Sequence, residues 1–118
     1  MTAPSVLVVE DEWLIAEGLR GELEDMGCRV VGIATNCEQA LELLQSDPPD
    51  VAFLDLQLGS ESCEPVVEEC RQRGIAMIFC TGVPELDLPP FAAGYPVMLK
   101  PYDQRMLRRS AQAVGLTG

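Results

Sequence analysis

Short apolar runs alternate with longer amphipathic stretches along the chain. Five runs are expected to form β-strands: Ser5 to Val9, Arg29 to Ala34, Val51 to Leu54, Ala76 to Cys80 and Pro96 to Leu99. Four of these runs are apolar throughout rather than alternating. A continuous apolar run is typical of a strand that is covered on both faces of a parallel sheet.

The stretches between the strands carry apolar residues at helical spacing. In the first stretch, an apolar stripe is formed by Trp13, Leu14, Ile15, Leu19, Leu23 and Met26. Asn36 is expected to cap a second helix that ends before Pro48. A third helix is expected from Ser62 to Arg73, and a last one from the capping residue Asp103 to Val114.

The segment from Gly82 to Tyr95 interrupts this alternation where a fourth helix is due. Within it lie Pro84, Pro89, Pro90 and Gly94. Because proline removes a donor and clashes inside a helix, the fourth helix is expected to be short, displaced or mobile. The repeated strand–helix order predicts an α/β fold, a doubly wound (βα)5 sheet with helices on both faces.

Length and charge narrow the classes of function. A chain of 118 residues fits one domain, so residues 1–118 are expected to form a single domain. It carries 8 basic and 19 acidic residues, a net charge of -11, which argues against nucleic acid or an anionic membrane as a direct partner. With no apolar stretch of about 20 residues and no signal-peptide pattern, a cytoplasmic location is expected.

Two residue types restrict the chemistry further. Histidine is absent, which removes catalysis through imidazole, imidazole metal sites and any role as a phosphohistidine donor. The five cysteines are odd in number and have no C-x-x-C spacing. Reduced, mostly buried thiols are therefore favoured over a disulfide or metal framework.

Polar residues follow four of the predicted strands at their carboxyl ends. Glu10 and Asp11 follow the first strand and Asp55 closes the third. Thr81 follows the fourth strand and Lys100 the fifth. Each residue alone has an ordinary explanation, as a helix-dipole partner, a turn cap or a surface group. Together they favour a site, because ligands bind at the carboxyl edge of a parallel sheet.

The chemistry of such a site follows from its residue types. Three clustered carboxylates repel one another unless a cation joins them, and hard oxygen ligands select Mg²⁺ or a similar ion. A carboxylate nucleophile at Asp55 would then take a phosphoryl group as an acyl phosphate. The Lys100 ammonium and the Thr81 hydroxyl would neutralise the phosphoryl oxygens.

These residues stand in motifs that resemble those of the receiver domain of two-component response regulators. The motifs are VLVVEDE at residues 6–12, VAFLDLQLG at residues 51–59, Thr-Gly after the fourth strand and Lys-Pro after the fifth. The resemblance covers essentially the whole chain. It implies a CheY-like, flavodoxin-like three-layer fold with strand order 2-1-3-4-5, acting in phosphorelay signalling rather than as an enzyme on separate substrates.

The resemblance also implies a role for each site residue. Asp55 would be phosphorylated by a histidine kinase or a histidine phosphotransfer protein. Mg²⁺ would be held by Glu10, Asp11 and Asp55 together with the backbone carbonyl of Gln57. Thr81 and Lys100 would contact the phosphoryl group as catalytic residues, and self-phosphorylation and autodephosphorylation would be the only reactions.

Two positions depart from the usual receiver pattern. Val97 stands three residues before the lysine, where receivers usually carry the Tyr or Phe that changes rotamer on activation. Phe79 to Gly82 instead resembles the Phe-Ala-Thr-Gly signature of alphaproteobacterial stand-alone regulators, with Cys80 in place of Ala. The hypothesis is therefore that phosphorylation orders residues 82–95 by drawing Thr81 toward the phosphate.

Other interpretations remain open at this point. A flavodoxin-like cofactor binder would need a hydroxyl- and glycine-rich loop where Glu10 and Asp11 stand. A small-molecule phosphotransferase or phosphatase would need a second acid two residues after Asp55, where Gln57 stands. A receiver cut from a larger regulator or hybrid kinase, and a phosphate sink, are also compatible with the sequence.

Partner surfaces are less defined in the sequence. The resemblance implies that a kinase docks near the first helix, whose acidic residues are otherwise typical of a solvated face. Arg105, Arg108 and Arg109 form the one basic cluster. They either meet an acidic partner or pair with local carboxylates.

Overall fold

The computed structural model describes residues 3–82 and 87–116, which contain a five-stranded parallel sheet. Its strands are β1 (Ser5–Val9), β2 (Arg29–Ala34), β3 (Val51–Asp55), β4 (Ala76–Thr81) and β5 (Val97–Leu99). The strand order is β2-β1-β3-β4-β5, and every neighbouring pair is parallel. The predicted α/β, doubly wound fold is confirmed.

Helices cover both faces of the sheet. They are α1 (Trp13–Asp25), α2 (Cys37–Ser46), α3 (Glu64–Arg73) and α4 (Gln104–Ala113). Buried residues of α2 and α3 share one core cluster with Leu7, Leu54 and Phe79 of the strands. Buried residues of α1 and α4 form a second cluster on the opposite face, with Val8 and Phe53. The two clusters make the three-layer arrangement that the sequence predicts.

The first helix departs from the predicted apolar stripe. Its buried residues are Ala16, Leu19 and Leu23, whereas Trp13 is 55% and Leu14 87% exposed. At 3.6 residues per turn, Leu14 lies on the side of α1 opposite the buried face. The prediction that these two residues share an apolar stripe with Leu19 and Leu23 is wrong, because the buried face of α1 passes through Ala16, Leu19 and Leu23.

The third helix begins two residues later than predicted. Residues Gln57–Leu58 pair antiparallel with Glu61–Ser62, so Ser62 belongs to a short hairpin instead of the helix. The Ser62 hydroxyl accepts a hydrogen bond from the Glu64 N–H at 3.2 Å, and Pro65 lies in the first turn of α3. We call residues 57–62 the edge hairpin.

The prediction of a short or displaced fourth helix agrees with the structure of residues 87–95. They form a 3-10 helix at Pro90–Ala92 and contain no α-helix. The rest of that prediction falls on residues 83–86, which lie outside the described residues.

Two further predictions concern burial. All five cysteines are buried, and each thiol is free. Within the described ranges, no helix combines the length and apolar character that crossing a bilayer requires.

Candidate functional site

The carboxyl ends of four strands bring the predicted site residues to one edge of the sheet. Asp55 and Thr81 are the last residues of β3 and β4. Glu10 follows β1 and donates its backbone N–H to the Ala34 carbonyl at 2.9 Å. Lys100 follows β5 and donates its backbone N–H to the Thr81 carbonyl at 2.7 Å. Main-chain pairing thus fixes the positions from which these side chains start.

Three carboxylates form the centre of this edge. Glu10, Asp11 and Asp55 each offer an oxygen atom, and these atoms lie within 4.8 Å of one another. Glu10 is 3% and Asp55 7% exposed, whereas Asp11 is exposed. The cluster is therefore sealed on the sheet side and open to solvent at Asp11.

Lys100 bridges the two buried carboxylates. Its Nζ atom lies 2.6 Å from Oε1 of Glu10 and 3.0 Å from Oδ2 of Asp55. Burial lowers the pKa of Lys100, but hydrogen bonds to Glu10 and Asp55 outweigh it and leave the pKa raised. The ammonium therefore stays charged and offsets part of the repulsion between the acids.

The carboxyl group of Glu10 has a strongly perturbed pKa. Burial raises its pKa to about 7, assisted by the neighbouring Asp55, while the hydrogen bond from Lys100 acts in the opposite direction. A carboxylate with this pKa is stabilised by any additional cation that enters the cluster. Among the residues that the structure describes, Lys100 is the cation that contacts this cluster, and a further positive charge would stabilise the acids.

Backbone N–H groups orient all three carboxylates. The Glu12 N–H donates to Glu10 at 3.1 Å, and the Gln57 N–H donates to Oδ1 of Asp55 at 3.0 Å. The Gly59 N–H donates to Oδ2 of Asp11 at 2.9 Å. Gly59 has a φ of +62°, so the edge hairpin reaches Asp11 through a turn that favours glycine.

The donor set fits a hard divalent cation. The three side chains offer only carboxylate oxygens, which Mg²⁺ prefers, and the open side at Asp11 leaves room for water ligands. Gln57 lies beside Asp55 at the start of the edge hairpin, and the role of its carbonyl as a ligand stays a prediction.

The structure thus brings together four of the predicted side chains: Glu10, Asp11, Asp55 and Lys100. Thr81 is buried beside them at the end of β4. The edge hairpin, whose Gly59 N–H holds Asp11, is not predicted from the sequence. The Gly-Ser pair at residues 59–60 after a buried strand is a turn signal that could have revealed it.

The basic cluster of the last helix is not paired within the chain's described part. Arg20, Arg29, Arg71, Arg73 and Lys100 all form ion pairs. Arg105, Arg108 and Arg109 form none with any described residue, and together they line a depression of about 550 Å³ on α4. Of the two predictions for this cluster, pairing with local carboxylates is wrong for the described residues.

A doubly wound sheet with acids and a lysine at its carboxyl edge defines the CheY-like class of α/β domains. The chain belongs to the family of response regulator receiver domains, whose family model matches residues 6–112. Receiver domains of this family are signalling modules of two-component systems. The resemblance of the sequence motifs to those of receiver domains is thus confirmed as family membership.

The chain is similar to regulatory proteins of bacteria. It is 38% identical over 106 residues to the positive alginate biosynthesis regulatory protein of Pseudomonas aeruginosa, covering 82% of this chain and 41% of that protein. It is 33% identical over 86 residues to the phyllosphere-induced regulator PhyR of Methylorubrum extorquens, covering 70% of this chain and 32% of that protein. The chain therefore spans less than half the length of these relatives.

A solved structure has the same fold. The solution NMR structure of the Erythrobacter litoralis PhyR response regulator REC domain superposes with a TM-score of 0.85 at 28% identity. The match covers 100% of this chain and 95% of that one. The likeness to PhyR receivers is consistent with the alphaproteobacterial subgroup that the sequence resembles.

Proposed function

We propose that this receiver is a phosphoacceptor in which Asp55 takes a phosphoryl group from a phosphohistidine in a Mg²⁺-dependent reaction. The observation that carries the proposal is the placement of Asp55, whose Oδ2 lies 3.0 Å from the Lys100 ammonium inside a cluster with Glu10 and Asp11. The phosphohistidine belongs to a histidine kinase or phosphotransfer protein, because this chain contains no histidine.

The proposed transfer is a direct displacement at phosphorus. A carboxylate oxygen of Asp55 forms the new P–O bond while the P–N bond to the donor histidine breaks, and the electron pair of that bond stays on the imidazole. Glu10, Asp11, Asp55 and the Gln57 carbonyl would hold Mg²⁺, which would supply positive charge for the phosphoryl oxygens. The product is an aspartyl phosphate.

The chain's own residues orient this reaction. The Gln57 N–H fixes Asp55 through Oδ1, so the carboxylate presents a defined face to the donor. Lys100, which bridges Asp55 and Glu10 in the resting structure, transfers its contact to the phosphoryl oxygens. Thr81 supplies a hydroxyl at the end of β4, next to the same group.

Labelling by acetyl phosphate in the presence of Mg²⁺ tests the proposal. Mass spectrometry should show the addition of one phosphoryl group to the wild type and none to Asp55→Asn, which keeps the shape but loses the nucleophile. Asp47→Asn is the matched control, because Asp47 pairs with Arg29 outside the site. An unlabelled wild type, or labelling of Asp55→Asn at the wild-type rate, contradicts the proposal.

Trp13 offers an independent optical test. It is half-exposed and begins α1 directly after the acidic cluster. Its fluorescence should change when Mg²⁺ is added and again when beryllium fluoride mimics the phosphoryl group. The Asp55→Asn variant should not give the second change.

For the phosphodonor we propose a docking surface on α1 and the loop after β5. Leu14, an exposed large apolar residue, lines a groove of about 520 Å³, and the exposed Trp13 precedes it on α1. The groove also contains Lys100 and Tyr102, so a partner seated on it reaches the site. The Cβ positions of Gly18 and Gly21 face open space, which lets a partner helix approach α1 closely.

Leu14→Ser separates docking from chemistry. Leu14 is 87% exposed, so the substitution should leave the fold intact. Transfer from a phosphorylated histidine phosphotransfer domain should slow at least tenfold, while labelling by acetyl phosphate stays unchanged. Leu99→Ser, at an exposed apolar residue outside this groove, is the control. Equal slowing of both reactions would contradict docking at Leu14.

The signal itself is proposed to leave through residues 82–95. Phosphorylation of Asp55 draws Thr81 toward the phosphate and orders this segment, which changes a protein-interaction surface. Amide exchange with and without beryllium fluoride tests the change, and unchanged protection contradicts it. The receiver acts within a larger regulator, through a separate partner protein or as a phosphate sink, and its binding partners decide which. Direct DNA binding is not part of the proposed function.

A further inference from the structure

An aromatic cluster joins residues 87–95 to the strand that carries Thr81. The ring of Phe79, fully buried on β4, lies 6.3 Å from the ring of Phe91 and 5.7 Å from that of Tyr95, both edge to face. Such pairs stabilise packing beyond the area that they bury. Phe91 and Tyr95 are themselves only partly buried.

One arginine of α3 ties the outer side of this cluster. Arg71 donates from Nε to the Tyr95 hydroxyl at 3.4 Å and from a terminal nitrogen to the Phe91 carbonyl at 3.3 Å. Its guanidinium carbon also lies 5.9 Å from the centre of the Tyr95 ring. Glu68, one turn earlier on α3, pairs with the same guanidinium and orients it.

These contacts are the side-chain hydrogen bonds that connect residues 87–95 to the other described parts of the fold. The rest of the attachment is apolar packing, because the main-chain bonds of these residues, such as that from the Tyr95 N–H to the Ala92 carbonyl at 3.3 Å, lie within the segment itself. Arg71 therefore decides how firmly the segment is held against α3.

Strand β4 connects residues 87–95 to the site, because it carries both Phe79 and Thr81. Phe79 and Thr81 are two residues apart in β4, so their side chains project from the same face of the sheet. Val97 pairs with Phe79 across the sheet and contributes no ring, so the aromatic cluster on that face comes from Phe79, Phe91 and Tyr95.

We propose that Arg71 and Tyr95 form a latch that holds residues 87–95 in the resting arrangement and opposes the change that phosphorylation of Asp55 produces at Thr81. The inference rests on the proposed function and assigns its regulation. Contacts that exist in one state only bias the equilibrium toward that state. By linkage, breaking the latch must favour the arrangement that phosphorylation produces. A larger fraction of the chain then stands in the arrangement that accepts the phosphoryl group, and labelling becomes faster.

Arg71→Ala tests the latch. Acetyl phosphate should label Asp55 of this variant roughly fivefold faster than in the wild type, at the low end of ordinary allosteric coupling. Amide exchange within residues 87–95 should be faster before phosphorylation, with little difference after it. Tyr95→Phe, which keeps the ring and loses the hydroxyl acceptor, should give a smaller increase in the same direction.

Arg73→Ala is the matched control. Arg73 lies on the same helix, carries the same charge and pairs with Glu69, but it makes no hydrogen bond to residues 87–95. Its labelling rate should equal that of the wild type. Arg71→Lys should behave like Arg71→Ala, because an ammonium cannot reproduce the planar two-point contact.

The outcomes separate the latch from the proposed function. If the wild type is labelled and Arg71→Ala is labelled at the same rate or more slowly, the latch is wrong while the phosphoacceptor function stands. Faster exchange in residues 87–95 without faster labelling identifies a merely structural contact and also overturns the latch. If the wild type is not labelled at all, the proposed function fails and the latch fails with it.

Discussion

Lys100 is the residue on which the resting site depends most. Its ammonium contacts Glu10 and Asp55, whose side chains are only 4% and 9% exposed, while its own is 18% exposed. A buried charge that loses its partner is costly because water cannot replace the lost contact. The buried acids of the site therefore lower the stability of the fold unless a cation is bound close to them.

We expect Lys100→Ala to lower the free energy of unfolding by about 3 kcal/mol, since it leaves buried carboxylates uncompensated. Urea unfolding in EDTA measures the loss. Added Mg²⁺ should reduce the difference from the wild type, because it supplies positive charge to the same oxygens. Arg20→Ala, which breaks two exposed pairs, with Glu17 and Glu24, should cost less than about 1 kcal/mol. Equal losses for the two variants would contradict this account.

Two helices depend on capping residues that the sequence identifies. The Asn36 side chain accepts a hydrogen bond from the Gln39 N–H at 2.8 Å at the start of α2. Asp103 does the same for the Met106 N–H at 2.9 Å at the start of α4. Each satisfies a backbone donor that the helix itself leaves unpaired.

Asn36→Ala and Asp103→Ala should each lower the free energy of unfolding by about 1 kcal/mol. Thermal or urea unfolding of the single variants measures the effect, and the double variant should show additive losses because the caps are on opposite faces of the sheet. Gln45→Ala, an exposed position within α2, is the control and should change stability by less than about 0.5 kcal/mol.

Elements were predictable from sequence where local pattern decides their structure. Apolar runs such as Val51 to Leu54 identify strands, and the polar residues that follow them identify the site, because strand ends in a parallel sheet converge. The edge hairpin was missed because a two-residue ladder has no periodicity to detect. Leu14 was misplaced because an apolar residue near a helix start satisfies the stripe pattern without being buried.

Tertiary contacts between side chains cannot be predicted from the local sequence pattern. The contact between Arg71 and Tyr95 joins residues that are 24 positions apart, and nothing in either local sequence indicates it. The bridge from Lys100 to both Glu10 and Asp55 was likewise predicted only as convergence at an edge. Its distances depend on strand register, which the sequence does not specify.

At the scale of the whole molecule, buried thiols make stability sensitive to alkaline pH. Burial is the main cause that raises the pKa values of Cys63 and Cys70, each to about 12. In the unfolded chain a thiol has a pKa of about 8.5. The stabilising effect is complete below the unfolded pKa and is lost as the pH rises toward the folded one.

We therefore expect the free energy of unfolding to fall between about pH 9 and 12, by at most about 1.4 kcal/mol per pH unit for each thiol. Urea unfolding at a series of pH values measures the slope. The Cys63→Ala/Cys70→Ala variant should show a shallower slope even though its stability at neutral pH is lower. An unchanged slope in that variant would show that other groups cause the alkaline loss.

The unpaired arginines of α4 give this acidic molecule an electrical polarity. Five of its eight cations are neutralised by neighbouring carboxylates, so Arg105, Arg108 and Arg109 stand as a positive pole on an otherwise negative body. The electric field of a charged partner therefore orients this molecule before the two surfaces come into contact. An acidic partner surface is attracted to α4, and a basic partner surface is attracted to the carboxylates on the rest of the molecule. At low ionic strength, where charges are little screened, this attraction contributes to the orientation in which the two proteins meet.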